Sequence, residues 1–225
     1  MKLRKFREDQ MLKSVISVDG LELAKRDGVL KFFDHPVNGH CWSVVDRGNR
    51  VRQDRRMDGE MFALKDGRLA KARTIGSPSW PVGMPTDRQV VAIVEGSSDF
   101  LAAYSLICAD GVEAYIRPAA MLGAANYIHT DALEYFRGKY MLTFPDYDLA
   151  GINAAARWHK QLEGIAAELK VCHYVGLLRD DGQQIKDLRD FLRVDVDQQE
   201  ADGNVRSPLL NFVSTLLVEG KIHVK

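Results

Sequence analysis

The sequence has little of what marks secreted and membrane proteins. Its three cysteines, Cys41, Cys108 and Cys172, are odd in number and far apart, so they supply neither a disulfide framework nor a CxxC zinc ligand set. No apolar run approaches the length of a membrane span. The basic start continues into charged sequence, unlike a secretory signal. These absences predict a protein of the reducing cytoplasm that makes no use of a membrane.

Net charge is also absent, because the 31 basic residues equal the 31 acidic ones. The balance conceals an asymmetry: residues 1–90 have 18 Lys and Arg against 12 Asp and Glu, whereas residues 91–225 have 13 against 19. A basic half beside an acidic half is typical of a polyanion-binding surface next to a metal site. Uneven scatter of solvated charges explains the asymmetry equally well when it is taken alone.

The pattern of apolar residues and turns changes near residue 86. Before it, residues 8–28 have helical spacing that ends at Asp27-Gly28, and short strands are predicted at 41–45 and 51–57. After it, strands alternate with helices. The strands are predicted at 90–94, 114–116, 140–144 and 171–175, and the helices at 98–109, 131–137, 150–169 and 187–192.

This alternation predicts an α/β fold, with a parallel-rich sheet flanked by helices and preceded by a smaller basic α+β subdomain. We place the basic subdomain at residues 1–86 and the α/β domain at residues 87–195. Residues 196–225 form the remainder, with an acidic, polar loop over 195–204 and a last helix at 209–218.

Acidic side chains follow two of the predicted strands. Glu95 comes directly after the strand at 90–94, with Asp99 one helical turn further on, and Asp146 and Asp148 follow the strand at 140–144. Open α/β sheets bind ligands at the carboxyl ends of their strands. Carboxylates brought together there repel each other unless a cation lies among them, and Mg²⁺ prefers such oxygen ligands. A polar turn or an ordinary helix N-terminus is the simpler explanation of each segment alone.

A third acidic corner follows the fourth predicted strand. Asp187 could complete the metal set or bind the metal through water, and Lys186 could contact phosphate, although a helix N-cap with surface charges is the commoner role of such a segment. Gly96 and Gly151 follow the acidic residues, and a glycine lets a phosphate or a metal shell approach the backbone closely.

The three segments in this order resemble the motifs of the Toprim domain, which bacterial-type primases, type IA and II topoisomerases and some small nucleases share. The motifs stand as Glu95-Gly96-Ser97-Ser98-Asp99, Asp146-Tyr147-Asp148-Leu149-Ala150-Gly151 and Lys186-Asp187. The Met121–Ala124 segment, with Gly123, is similar to the glycine turn of primase-type members. The resemblance covers residues 88–195, and the strand-rich region upstream looks like the one that precedes Toprim in prophage primase-like proteins.

The resemblance implies a primase-type nucleotidyltransferase of phage or mobile-element DNA replication that depends on Mg²⁺ or Mn²⁺. Its partners would be a single-stranded DNA template, nucleoside triphosphates and a replicative helicase acting in trans. Asp146, Asp148 and Asp187 would hold the metal, Glu95 would be the general acid or base, and Asp99 an auxiliary residue. A Toprim-type metal-dependent nuclease and a non-catalytic nucleic-acid-binding accessory remain as alternatives, because the residue types do not separate them.

Arginines are dense in the predicted hairpin upstream of the α/β domain. Because a guanidinium binds phosphate in a bidentate manner, they are candidates for a template or nucleotide phosphate surface, although outward-facing arginines on a solvated hairpin explain them equally well. The five are Arg47, Arg50, Arg52, Arg55 and Arg56. No zinc-binding module of the kind that begins many bacterial primases can be formed, and no Walker A pattern is present.

Overall fold

Two main β-sheets, one antiparallel and one parallel, organise the protein. A computed structural model describes residues 16–174, 176–194 and 207–223. Apolar residues of both sheets and of the helices around them belong to one continuous core. In these described ranges no helix is long and apolar enough to cross a membrane.

The antiparallel sheet is built from the basic, turn-rich half of the sequence. Its strands lie in the order β1-β2-β3-β6, and a two-stranded ladder of β4 and β5 is inserted between the last two. The strands are β1 (Leu30–His35), β2 (Gly39–Val45), β3 (Val51–Arg56), β4 (Phe62–Ala63), β5 (Leu69–Ala70) and β6 (Arg73–Gly76).

Helix α1 (Val18–Arg26) precedes this sheet and ties it to the parallel one. The Ser17 side chain caps the helix by accepting a hydrogen bond from the Gly20 N–H, and Gly28 ends it with a φ of 77°. A Cβ atom at Gly20 would lie 2.6 Å from the Ser105 backbone, so the glycine allows α1 to pack closely on the helix that contains Ser105.

The parallel sheet has the order β10-β9-β7-β8. Its strands are β7 (Val90–Val94), β8 (Ile116–Ala120), β9 (Tyr140–Phe144) and β10 (Glu168–Val171). Every residue of β7 is fully buried, as expected of a parallel strand covered on both faces. The helices are α2 (Ser97–Ala109), α3 (Thr130–Leu133, extended by a 3₁₀ turn at Glu134–Phe136), α4 (Leu149–Leu162), α5 (Leu188–Phe191) and α6 (Pro208–Val218).

The chain changes direction between the two central strands of the parallel sheet. From β7 it moves through α2 to β8 on one side, and it then returns past β7 to β9 and continues outward to β10. Because such crossovers are right-handed, helices reached in opposite directions cover opposite faces. A ligand crevice is expected where the order reverses, at the carboxyl ends of β7 and β9. Val94 and Phe144 are paired there.

The predicted fold class is confirmed, with a parallel sheet flanked by helices and an antiparallel sheet before it. The strands predicted at 90–94 and 140–144 are correct, but β8 lies at Ile116–Ala120 rather than at 114–116. Helix α4 ends at Leu162 rather than at 169, because Gly164 adopts a φ of 72°. Strand β10 therefore precedes the predicted 171–175.

The prediction for the first helix was partly wrong, and four strands of the antiparallel half, β1, β4, β5 and β6, were not predicted. Helix α1 begins at Val18, so residues 16 and 17 precede it, and the predicted residues 8–15 lie outside the described part of the chain. Strand β1 was not predicted, although it pairs with β2 along its whole length. The predicted loop at 195–204 also lies outside the described residues.

Candidate active site

Five carboxylates gather at the carboxyl ends of β7 and β9. Glu95 follows β7 directly, and Asp146 lies two residues beyond β9. Asp99 is in the first turn of α2, whereas Asp148 and Asp187 are the N-caps of α4 and α5. Strand ends and helix starts thus bring together all five acidic residues that the sequence singled out.

Glu95 is half-buried, and its surroundings disfavour the ionised form of its carboxyl group. Burial and the neighbouring charges of Asp146 and Asp148 raise the pKa of Glu95 to about 7, against partial opposition from the Ala124 backbone amide and the Lys186 ammonium. Its Oε2 atom is buried and has no hydrogen-bond partner among the described residues. An orphaned carboxylate oxygen of this kind is a natural ligand for a cation or acceptor for a proton.

Asp146 and Asp148 flank the exposed Tyr147 and differ in their surroundings. Burial, Asp187 and Asp148 raise the pKa of Asp146 to about 6. The exposed Asp148 has an extended backbone, and its Oδ1 accepts a hydrogen bond of 2.9 Å from the Gly151 N–H at the start of α4. Asp148 is therefore a helix cap and a member of the charged cluster at the same time.

Asp99 and Asp187 form the buried part of the cluster. Burial, Asp187 and Asp146 raise the pKa of Asp99 to about 8, and its buried Oδ1 has no hydrogen-bond partner in the described ranges. Both oxygens of Asp187 are already engaged. Oδ1 accepts from the Asp190 N–H and Oδ2 from Nη2 of Arg189, each at 2.8 Å.

Arg189 is a residue of the site that the sequence reasoning did not single out. Burial lowers the pKa of its guanidinium, but Asp187, Asp99 and Asp190 outweigh that effect and raise it. The available signal was the basic residue two positions after Asp187, within Lys-Asp-Leu-Arg-Asp.

The predicted glycines support the site through the backbone. The Gly123 N–H donates a hydrogen bond of 3.1 Å to the Glu95 carbonyl, which fixes the glycine turn against the end of β7. A Cβ atom at Gly151 would collide with the Asp146 carbonyl oxygen and lie 2.8 Å from the Asp146 nitrogen. A Cβ atom at Gly96 would approach Asp99 Oδ2 to 2.9 Å. These glycines make room for the acidic residues themselves.

The predicted basic residues have different positions. Lys186 is exposed and close enough to oppose the pKa shifts of Glu95 and Asp146. Arg55 extends from β3 toward the buried carboxylates. Burial lowers the pKa of Arg55, Asp99 opposes that change, and Arg189 adds to it. The Nε atom of Arg55 is buried and has no hydrogen-bond partner in the described part of the chain.

The other four arginines pair with nearby aspartates instead of facing the cluster. The distances are 3.4 Å for Arg47–Asp27, 3.8 Å for Arg50–Asp46 and 3.4 Å for Arg52–Asp54, and Arg56 binds Asp58 through two nitrogens. Arg50 also lies over the Trp80 ring, 4.2 Å from its centroid. The structure therefore does not gather these four into one free phosphate surface.

The chemistry of the cluster suits a divalent cation shared with a substrate. In the described ranges no three His, Cys, Asp or Glu side chains are arranged as ligands of one ion. The carboxylates nevertheless repel each other, and Glu95 has a buried oxygen without a partner. Mg²⁺ is commonly held by one or two carboxylates and completes its shell with waters and substrate phosphates. The donor set fits an ion bound in that way.

A solved structure has a similar fold. The primase fragment of the bacteriophage T7 primase-helicase protein superimposes with a TM-score of 0.51 and 16% sequence identity, over 86% of this chain and 71% of that one. No protein-family model and no curated protein sequence matches the chain. At this level of identity the comparison establishes a shared fold alone.

Proposed function

We propose that the protein is a metal-dependent nucleotidyltransferase of the primase type, with a Toprim-like catalytic centre. The observation that carries the proposal is the placement of Glu95 and Asp146 at the ends of two adjacent parallel strands, where Asp146 raises the pKa of Glu95 and Glu95 Oε2 has no hydrogen-bond partner among the described residues. The fold similarity to a phage primase fragment supports the same choice. Single-stranded DNA and nucleoside triphosphates would be its substrates, and a phage or mobile element its setting.

Asp146 and Asp148 would hold the metal on the solvent-facing side of the cluster. A bound Mg²⁺ or Mn²⁺ supplies charge that orients a triphosphate and stabilises the transferred phosphoryl group. Oε2 of Glu95 would accept the proton of the attacking hydroxyl. The hydroxyl oxygen would form a new bond to the α-phosphorus, and pyrophosphate would depart. The pKa of Glu95, about 7 without metal, falls when a cation binds nearby, which keeps the carboxylate ready as a base.

Two cations of the chain would position the phosphates. The exposed Lys186 lies beside Glu95 and Asp146. Arg55 approaches from the antiparallel sheet, and its Nε has no hydrogen-bond partner among the described residues. Phosphates favour both kinds of donor. In this proposal residues 1–86 form the surface that faces template and nucleotide, residues 87–195 carry the reaction, and a helicase acts in trans.

The test is to incubate the purified protein with Mn²⁺ or Mg²⁺, labelled nucleoside triphosphates and single-stranded DNA. New labelled oligonucleotides support the proposal, and their loss in Asp146→Asn and Glu95→Gln assigns the reaction to this site. Asp87→Asn is the matched control, because Asp87 is exposed and pairs only with Arg88 among its described contacts. Shortened DNA would instead indicate a nuclease. If neither product forms and both variants retain DNA binding, the accessory function is favoured.

A further inference from the structure

The carboxylates of the site divide into two groups by their surroundings. Glu95, Asp146 and Asp148, the outer carboxylates, are half-buried or exposed. The solvent-exposed Lys186 opposes the pKa shifts of Glu95 and Asp146, and Arg189 also acts on Asp146. Asp99 and Asp187, the inner carboxylates, are 8% and 6% exposed. Buried anions need a countercharge far more than exposed ones do. The inner pair therefore needs a cation, either from the chain itself or from solution.

Arg189 supplies that countercharge from within the chain. Its guanidinium lies 2.8 Å from Asp187 Oδ2, and its guanidinium and backbone amide both favour the ionised form of Asp99. The geometry is local and fixed, because Asp187 caps α5 through the Asp190 N–H and Arg189 lies in the same short helix. Asp190 is itself engaged, by Arg179 at 3.1 Å and by the Lys186 N–H at 3.2 Å.

Arg55 adds a second guanidinium on the inner side. Its charge interacts with both Asp99 and Arg189, so it adds a positive charge near Asp99. A divalent ion on Asp187 would have to share oxygens that already accept two hydrogen bonds and lie beside the fixed charge of Arg189. Repulsion between a divalent and a monovalent cation at contact distance is unfavourable at the low effective dielectric of a buried site.

We propose that Arg189 takes the place of a second divalent cation, so that the site binds one metal ion, at the outer carboxylates. The inference rests on the proposed metal-dependent function and adds a specific assignment to it. Asp187 is then a positioning residue that holds Arg189, rather than a metal ligand. The exposed Asp148 remains available to the single ion, and the orphaned oxygen of Glu95 remains available for proton transfer.

The test is to count bound Mn²⁺ by the loss of the free-ion electron paramagnetic resonance signal on titration. We expect one ion per wild-type chain and a second, weaker ion in Arg189→Gln, because that change frees Asp187 and Asp99. Arg189→Lys retains the positive charge and is expected to bind one ion. Arg193→Gln is the matched control, because Arg193 makes ion pairs with Asp180 and Asp181 and the change removes the same charge.

The possible outcomes separate this inference from the function on which it rests. Two ions on the wild-type chain overturn the role of Arg189 and leave a metal-dependent enzyme. A folded Arg189→Gln that still binds one ion overturns it as well. Absence of bound Mn²⁺ from the wild type contradicts the proposed metal dependence itself. If Arg189→Gln does not fold, the wild-type and Arg189→Lys counts still decide, because both are expected to be one.

Discussion

Removing the charge of Asp146 should stabilise the metal-free protein, even though Asp146 is proposed as a metal ligand. Burial and the charges of Asp187 and Asp148 raise its pKa from 3.8 to about 6. Each pKa unit corresponds to about 1.4 kcal/mol, so ionisation of Asp146 costs the fold roughly 3 kcal/mol at most. Because this side chain is only half-buried, solvent screening reduces the expected gain in Asp146→Asn to about 1–2 kcal/mol.

The pH dependence gives the sign of this effect. A raised pKa means that the folded state binds the proton more tightly than the unfolded chain does, so stability is lost as the pH rises through the folded value. The penalty of Asp146 is absent below its unfolded pKa of 3.8 and complete above about 6. Asp146→Asn and wild type should therefore unfold alike at about pH 3.5, and the variant should be the more stable near pH 8.

Thermal unfolding in EDTA measures the difference. For a chain of this size, 1 kcal/mol corresponds to a Tm shift of about 2–4 °C. Mn²⁺ at about a hundred times its Kd should stabilise wild type by roughly 2.7 kcal/mol and the variant much less, so the order of the two Tm values should invert. The exposed Asp87→Asn should change Tm little under either condition. If the variant is less stable than wild type in EDTA near pH 8, the proposed repulsion between Asp146 and its neighbouring carboxylates is refuted.

Three further changes test the surroundings of the site. Gly151→Ala should displace the turn that carries Asp146, because a Cβ atom collides with that backbone; Mn²⁺ affinity should fall about tenfold, with unchanged circular dichroism. Asp27→Ala should lower stability by about 3 kcal/mol in urea unfolding, because Asp27 Oδ2 pairs at 2.6 Å with a buried arginine of β8. Arg55→Gln should raise KM for nucleoside triphosphates severalfold, whereas the exposed Arg52→Gln should not; equal effects would contradict the role of Arg55.

The sequence predicted β7 and β9 correctly because both are short apolar runs that are buried in the sheet. It misplaced β10 because Ala166 and Leu169 continue the helical spacing of α4, and the end of that helix depends on the left-handed conformation of Gly164. It misplaced β8 because Arg117 and Pro118 interrupt the apolar pattern expected of a buried strand. Arg117 is buried because Asp27, far away in sequence, neutralises it and the Glu113 and Ile116 carbonyl oxygens accept hydrogen bonds from its Nη1.

The acidic residues of the site were predictable and the role of the arginines was not. Strand ends and helix starts are local in sequence, so Glu95 and Asp146 could be placed in one crevice before any coordinates. For the hairpin arginines, residue type alone fitted a phosphate surface and a solvated hairpin equally well. Four of them instead pair with aspartates, and three of those partners, Asp46, Asp54 and Asp58, lie within four residues of the arginine they bind. Of the five, Arg55 interacts with Asp99 and Arg189 of the site, which depends on the tertiary structure and not on local sequence.

The two carboxylate groups differ in how far cationic side chains offset their repulsion. This difference explains how the cluster can exist in a folded chain without metal. The inner carboxylates are the most buried, and Arg189 offsets part of their repulsion by pairing with Asp187, the N-cap of its own short helix; the pKa of Asp99 is still raised to about 8. The outer carboxylates retain theirs, at the open end of the crevice where a cation and a phosphate can reach them. The repulsion among the outer carboxylates thus lies at a position where binding can relieve it, as is common at catalytic sites. On this view the arginine that stabilises the fold also sets how many metal ions the site can take.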